Sequence, residues 1–335
     1  MKMLRKLLLP FSLIYGFIVW LRNKLYDWEI KKSAKFTIPV ICVGNLSVGG
    51  TGKSPMIEHL IKLLKDKHNL ATLSRGYKRE SKGFYILSGN ETAAYVGDEP
   101  LQFKSKFSSI TVAVDEQRKR GIENLLALKN TPDVVLLDDA FQHRKVTPSH
   151  SILLTSYNNL YCNDYILPAG NLREPKSGAK RANIIVVTKC PKDLSDLEMN
   201  KIKKKLKPLK QQKVFFSSIK YANEVINHKN ERLNIDNSKD FSLVTGIANP
   251  TPLLQHLEKL NLKFNHLNFP DHYNFKEKDL QKIKQSNLVI TTEKDFMRLK
   301  NEIDASQLYY LPIEIEILKD NLDFENTIKS WLQNY

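Results

Sequence analysis

The feature that most constrains this chain is the run GNLSVGGTGKSP at residues 44–55. It follows a short apolar run, Val40–Val43, entered through Pro39, which is tolerated at the start of a strand. It precedes Pro55–Lys65, where Ile57, Leu60, Ile61 and Leu64 recur at helical spacing. A glycine-rich turn between a buried strand and a helix directs backbone N–H groups and a helix amino terminus at an anion. Residues 47–54 fit G-x-x-x-x-G-K-[ST], except that Ser47 replaces the first glycine. Gly49, Gly50 and Gly52 supply backbone freedom, Lys53 is expected to reach β- and γ-phosphates, and Ser54 to bind Mg2+. The whole run Ser47, Val48, Gly49, Gly50, Thr51, Gly52, Lys53 and Ser54 is the expected nucleotide-binding surface.

Further short apolar runs follow at Leu70–Leu73, Ile110–Val114, Val134–Leu137, Ile152–Leu154 and Ile184–Val187. Polar or helical stretches separate them, which predicts a parallel sheet covered on both faces. A second set is expected at Phe241–Thr245, Pro250–Leu260 (a helix), Lys263–Phe269 and Leu288–Thr291. Val214–Ile219 and Leu308–Leu318 read as a pair of ribbons joining the two sets. The expected division is an amino-terminal helix in 1–35, a phosphate-loop core in 36–218, a smaller α/β unit with its connector in 219–318, and a carboxy-terminal helix in 319–335. With 335 residues, 41% of them hydrophobic, two packed units are feasible and wholesale disorder is excluded. Three scattered cysteines exclude a disulfide scaffold and a cysteine-built zinc site. The lysine-rich stretch 198–213, helical up to Pro208, reads as a solvated face rather than a lipid or phosphate contact.

The formal charge is +16, of which the first 35 residues hold six and the remaining 300 hold ten. Such a surplus implies an anionic partner: nucleic acid, an acidic membrane surface or a phosphorylated substrate. Leu7–Leu21 carries no charge over 15 residues. As a helix it spans roughly 22 Å, short of the roughly 30 Å hydrocarbon core. Arg5 and Lys6 flank one end and Arg22 and Lys24 the other, with Tyr15 and Trp20 suited to an interface. Pro10 falls in the first turns, where a helix tolerates it. A cleaved signal peptide and a buried core helix are the alternatives; a helix embedded in the cytoplasmic face of a membrane fits best.

Residues 133–143 read DVVLLDDAFQH, so Asp138 and Asp139 follow a buried apolar run. Carboxylates at the carboxyl end of such a strand are where Mg2+ or its water is held in phosphate-loop proteins; a plain strand-end turn is the alternative. With these motifs stand SRGYKR (74–79), VGDEP (96–100), LPAGNLREP (167–175), FPDHYNF (269–275) and TTEKD (291–295). Taken in this order, the chain resembles the tetraacyldisaccharide 4'-kinase family of lipid A biosynthesis. The resemblance implies ATP-dependent phosphorylation of the 4'-hydroxyl of an acylated glucosamine disaccharide 1-phosphate at the bacterial inner membrane, with Mg2+. One departure is Ala140, where many members have glycine; a stiffer turn is expected.

Phosphoryl transfer depends on positioning and charge neutralisation, but a sugar hydroxyl must also lose a proton. Asp98 is the candidate acceptor, with a helix cap as its alternative role. His272 is the candidate partner orienting it; that the two meet is what the resemblance implies. Ser54, Asp138 and Asp139 are the candidate Mg2+ ligands. Glu174 is a further candidate, unless it pairs with neighbouring Arg173. Arg75, Tyr77, Lys78 and Arg79 form a basic-aromatic cluster after a strand, where α/β proteins bind ligands. Arg118 and Arg173 are candidates for the substrate phosphate or the transferring charge, and His143, with Gln142, for cleft contacts. Thr292–Asp295 is either a strand-end turn or a nucleotide contact.

Two other functions remain open at this point. One is a membrane-associated phosphate-loop ATPase acting as a nucleotide switch. The other, suggested only by the charge, is a nucleic-acid-associated protein; no helix-turn-helix or zinc signature supports it, and no nucleic-acid partner is expected.

Overall fold

The computed structural model describes residues 5–238 and 240–333. Residues 1–4 of the expected amino-terminal segment and residues 334 and 335 of the expected carboxy-terminal helix lie outside the described residues. Fifteen strands form two sheets among the described residues. In chain order they are β1 Val40–Asn45, β2 Leu70–Ser74, β3 Tyr85–Ile86, β4 Thr111–Val114, β5 Val134–Asp138, β6 His150–Ser156, β7 Ile184–Thr188, β8 Lys213–Tyr221, β9 Glu224–Ile226, β10 Arg232–Asn234, β11 Phe241–Thr245, β12 Phe264–Asn268, β13 Val289–Thr291, β14 Leu308–Tyr310 and β15 Ile313–Ile317.

The nine-stranded sheet has the order β15-β8-β7-β6-β1-β5-β2-β4-β3. Every neighbouring pair is parallel except at the two edges, where β15 and β3 run antiparallel. The expected α/β architecture with a large, mainly parallel sheet is thus present. Strand β1 is central because both its faces are apolar. Ile41 and Val43 point into one core with Met56, Ile57, Leu60 and Ile61 of the phosphate-loop helix Lys53–Leu64. Val40 and Cys42 point into the opposite core with Ile122, Leu125 and Phe141. This alternation is the period of a strand buried on both sides.

The six-stranded sheet has the order β10-β9-β14-β13-β11-β12, with β14, β13, β11 and β12 parallel. On one face Leu243 and Ile290 pack with Leu253 and Leu257 of helix Thr251–Lys259 in a core of their own. On the other, Val244 and Val289, with Phe296 of helix Glu293–Leu299, join the same core as the phosphate-loop helix. The two sheets therefore share buried apolar surface, which holds the loops of one against the loops of the other.

Leu308–Leu318 departs from the single ribbon read in the sequence. Leu311–Pro312 divides it, so β14 joins the small sheet while β15 crosses to pair antiparallel with β8 in the large one. Proline lacks the N–H that a continuous strand would need there. The carboxy-terminal helix Asn321–Gln333 buries Phe324 and Ile328 against the large sheet, with Phe324 edge-on to Phe215. The lysine-rich stretch forms helix Asp196–Leu206, which buries Met199, Ile202 and Leu206 and leaves Lys201 and Lys204 in solvent. It is a solvated face, as its sequence suggests.

The amino-terminal helix Leu9–Asp27 has Pro10 in its first turn. Its polar residues face inward: Ser12 and Asn23 are buried, while Leu13, Ile14, Phe17 and Ile18 are each at least 60% exposed. That orientation removes the buried-core-helix alternative. No described helix is long and apolar enough to cross a membrane.

Candidate functional site

The phosphate loop leaves β1 where the backbone must pass close to another loop. A Cβ on Gly44 would lie 2.6 Å from the Cβ of Phe141, so only glycine fits. Gly52, immediately before the helix, has φ +87°, in the left-handed region that glycine adopts without strain. Side chains around the loop fix its carbonyls outward. Asn45 Nδ2 donates to Thr51 Oγ1 (2.7 Å), Thr188 Oγ1 donates to the Thr51 carbonyl (2.8 Å) and Lys189 Nζ to the Gly50 carbonyl (2.7 Å). Ser47 and Val48 are pinned against Asn171 and Leu172. The first-turn amides of the following helix have no intrahelical acceptor, a geometry that suits an anion.

At the end of β5 the acidic pair meets this loop. Lys53 Nζ lies 3.7 Å from Asp139 Oδ1, and Arg173 grips the same carboxylate at 2.7 and 3.1 Å. Burial alone would raise the Asp139 pKa, but Lys53 and Arg173 overcome it and hold the group down at about 2. Asp139 adopts φ +45°, a conformation uncommon outside glycine, asparagine and aspartate. Ala140 is not among the positive-φ residues, so its methyl group is accommodated without strain. Asp138 behaves oppositely. Burial, then the charges of Glu99 and Asp139, push its pKa up to about 7. Its Oδ2 accepts from Ser74 (3.3 Å), while Oδ1 is buried with no hydrogen-bond partner.

Asp98 and Glu99 are the first two residues of helix Asp98–Lys106. Asp98 does not cap it: Gly97 holds the cap position, without a side-chain bond. Asp98 Oδ2 instead meets His272 Nδ1 at 3.1 Å and Arg298 Nε at 3.0 Å, with Arg298 Nη2 also donating to it. Burial opposes ionisation, yet His272 and Arg298 bring the Asp98 carboxyl down to about 2. Glu99 accepts from Ser54 Oγ (3.1 Å) and from Lys294 Nζ (2.6 Å). Tyr77 packs on the His272 ring at 5.6 Å, and Lys78 lies over Tyr77. Tyr77 and Lys78 are exposed beside this pair, and Arg75, also exposed, acts instead on Arg118 and His143.

Other candidates fall elsewhere. Glu174 is fully buried, and both its oxygens are used: Arg181 binds both (2.8 and 2.9 Å), Gln142 Nε2 binds one (2.8 Å) and Asn23 Nδ2 the other (2.9 Å). It ties the amino-terminal helix to the core and pairs with Arg181 rather than Arg173, which corrects both expectations for it. Arg79 is likewise structural, bound to Glu116 and to the Gly83 carbonyl. Arg118 is buried, and its two Nη atoms serve the carbonyls of Asp115 (2.8 Å) and Asp138 (3.0 Å). It braces the strand that carries the acidic pair, and burial brings its pKa down to about 10.

Arg118 also borders a cavity of about 370 Å3, with Arg22, Tyr26, His143, Arg144 and Lys145 among its walls. The buried Nε atoms of Arg22 and Arg118 and Nη1 of Arg144 have no partner. Burial and the charges of Arg118 and Arg75 depress His143 to about 4, so it is neutral at neutral pH. Glu99, Arg298, Arg22 and Arg144 were not legible as site residues, and Lys294 only within the Thr292–Asp295 motif. The one available signal was the four-residue spacing of Lys294 and Arg298 on a single helix face.

The chain that brings together a phosphate-loop lysine, an acidic pair and a carboxylate–histidine pair matches a known family over nearly its whole length. The family model described as tetraacyldisaccharide-1-P 4'-kinase matches residues 4–333. A tetraacyldisaccharide 4'-kinase of Flavobacterium psychrophilum is 50% identical, covering 100% of this chain and 98% of its own. One of Bacteroides thetaiotaomicron is 47% identical, covering 96% and 91%. A crystal structure of LpxK from Aquifex aeolicus in complex with ATP superposes with a TM-score of 0.79 at 31% identity, over 98% of this chain and 99% of that one. The chain belongs to the tetraacyldisaccharide-1-P 4'-kinase family.

Proposed function

We propose that this protein is an ATP-dependent kinase that phosphorylates the 4'-hydroxyl of a tetraacylated glucosamine disaccharide 1-phosphate, forming lipid IVA. The observation that carries this reading is the convergence of two different devices on one cleft: Lys53 beside Asp139, and Asp98 held by His272. The first suits a triphosphate and the second suits an alcohol acceptor. A nucleotide switch has no use for the second.

In the reaction, the 4'-hydroxyl gives its proton to Asp98 while its oxygen attacks the γ-phosphorus. The bond from that phosphorus to the β,γ-bridging oxygen breaks, and ADP leaves. His272 orients the Asp98 carboxylate. Lys53 and Arg173 neutralise charge spread over the transferring group. Ser54, Asp138 and Asp139 would hold Mg2+, which supplies further charge neutralisation at the phosphate oxygens. The buried, unpartnered Asp138 Oδ1 is the atom that fits a cation. Among the described residues no three carboxylate, histidine or cysteine groups could hold a metal by themselves. Magnesium commonly takes only one or two carboxylates, with water and phosphate oxygens completing its shell.

Arg75, Tyr77 and Lys78 take the sugar, the last two beside His272, and the cavity lined by Arg118 and His143 takes the acceptor's own phosphate, towards its unpartnered arginine nitrogens. The outward apolar face of the amino-terminal helix seats the protein on the cytoplasmic surface of the inner membrane, where the acyl chains remain. Residues 1–35 form this anchor, 36–218 the nucleotide-binding unit and 219–318 the smaller unit, whose last strand returns to the large sheet before the helix within 319–335.

The test uses γ-labelled ATP and an acylated disaccharide 1-phosphate. Label recovered in a lipid-soluble product supports the kinase; label released only as inorganic phosphate refutes it and leaves the switch.

A further inference from the structure

We propose that Arg298, on the helix after β13 of the small sheet, is a positioning residue that aims Asp98 at the acceptor; this rests on the kinase reading above. Helix Glu293–Leu299 lays one face over the amino terminus of helix Asp98–Lys106. Lys294 and Arg298, four residues apart, meet the two consecutive carboxylates there, Glu99 and Asp98. The TTEKD motif thus supplies the start of a cationic brace, with Lys294 on Glu99 and the following Arg298 on Asp98.

The guanidinium is fixed from behind before it touches Asp98. Its Nη1 donates to Asp295 Oδ1 (2.9 Å), and Asp295 Oδ2 accepts from the Gly246 amide (2.9 Å). The Gly246 carbonyl accepts the backbone N–H of His272 (3.2 Å). A Cβ at Gly246 would lie 2.8 Å from Asp295 Oδ1, so a larger residue there would have to displace the carboxylate that fixes Arg298. Arg298 and His272 are therefore held by one loop junction, and Arg298 Nη2 lies 3.2 Å from His272 Nδ1. The Arg298 side chain is 8% exposed, so its charge is little screened by solvent.

Every hydrogen bond to the Asp98 carboxylate in the structure ends on Oδ2. Among the described residues Oδ1 has no protein donor, which leaves it to take the hydroxyl proton. Two donors of one rigid guanidinium on Oδ2 restrict rotation of the carboxylate in a way that the single His272 bond does not. Placement of the base in the large-sheet unit thus depends on a side chain of the small-sheet unit.

The experiment measures kcat and the KM for ATP of lipid-product formation in wild type, R298Q, R298K, D98N and D98N/R298Q. Expected are a kcat about 10- to 100-fold lower in R298Q with ATP KM within about twofold of wild type, and partial recovery in R298K. In the D98N background R298Q should lower kcat by less than about twofold, because its effect passes through Asp98. An equal loss in both backgrounds, or a raised ATP KM with unchanged kcat, overturns the proposal. If R298Q does not fold, R298K carries the test: full wild-type kcat overturns the proposal, and an intermediate kcat that vanishes as a difference in the D98N background supports it. Absence of lipid product from the wild type would instead refute the kinase reading.

Discussion

The phosphate-loop helix presents Ser54 and Glu58 on one face, and each enters a charged cluster built with the same two partner helices. In front, Ser54 meets Glu99 and Lys294, beside Asp138, Asp139 and Lys53. Behind, Glu58 shares Lys106 (2.5 Å) and Gln102 (2.7 Å) with Glu293, which they reach at 2.8 and 2.7 Å. Each cluster contains one carboxyl raised to about 7 by burial and neighbouring carboxylates: Asp138 in front and Glu293 behind. The two differ in what relieves the excess negative charge. Asp138 has an oxygen with no partner, whereas both Glu293 oxygens are engaged by protein donors. The front cluster pairs its carboxylates with Lys53, Arg173 and Lys294 yet keeps the Asp138 oxygen open to a cation as ligand, whereas the back cluster sets one lysine against two carboxylates, is closed, and a proton supplies the balance.

This difference gives the strongest prediction. Lys53→Ala removes the phosphate-loop cation of the front cluster, and we expect kcat/KM to fall about a thousandfold, with the melting temperature within a few degrees of wild type. Near-wild-type turnover would break the assignment of the front cluster to catalysis. Next in size is Asp138→Asn. Activity should fall about a hundredfold and the Mg2+ concentration for half-maximal rate should rise. Without nucleotide the variant should be at least as stable as wild type near pH 8, since it removes a carboxylate that burial disfavours. A stability loss with unaltered Mg2+ dependence would place Asp138 with the structural carboxylates.

The front cluster was the more legible of the two, and the reason is physical. The phosphate loop and the acidic pair are each contiguous in sequence because a strand end and its following turn deliver their groups together. Strands β1, β2, β5, β6, β7 and β11 were visible for a related reason: burial on both faces demands unbroken apolar runs. What supports them is long-range. Arg298 lies 200 residues from Asp98 and Lys294 lies 195 from Glu99, so no local pattern reports these pairings. Glu174 was misread because an acid beside an arginine in sequence leaves its distant partners, Asn23 and Arg181, unspecified. Strands β3, β9 and β10 have two or three residues each, too few for alternation to register.

A smaller effect is expected where neither cluster is involved. Phe17, 61% exposed on the outer face of the amino-terminal helix, touches the site only through that helix's inner residues. Phe17→Asp should weaken binding to vesicles containing anionic phospholipid about tenfold, from the loss of roughly 2 kcal/mol of apolar burial. Turnover of a detergent-dispersed acceptor should stay within about threefold. If that turnover collapsed as well, the helix would be part of the active site and not only its anchor.

The smallest effect tests the back cluster itself. The Glu293 pKa lies at about 7 in the folded protein, above its ordinary 4.5, because burial and Glu58 disfavour its charge, against the pull of Lys106. The folded state therefore binds a proton that the unfolded chain has released. The stability this contributes is complete below about pH 4.5 and is lost as pH rises towards and through 7, at no more than about 1.4 kcal/mol per pH unit. Asp138 contributes with the same sign, so the wild-type melting temperature should decline by several degrees between pH 5 and 8. Glu293→Gln fixes the uncharged form at one of the two sites, and the decline should become shallower while kcat stays within about threefold. Saturation with Mg2+ and a nonhydrolysable ATP analogue should remove the Asp138 share and leave the Glu293 share in place. In Glu293→Gln with that ligand bound, the melting temperature should be nearly flat over the interval. A decline unchanged by Glu293→Gln would mean that the back cluster is ionised throughout, with Lys106 alone sustaining both carboxylates, and the contrast between an open and a closed cluster would no longer rest on a proton.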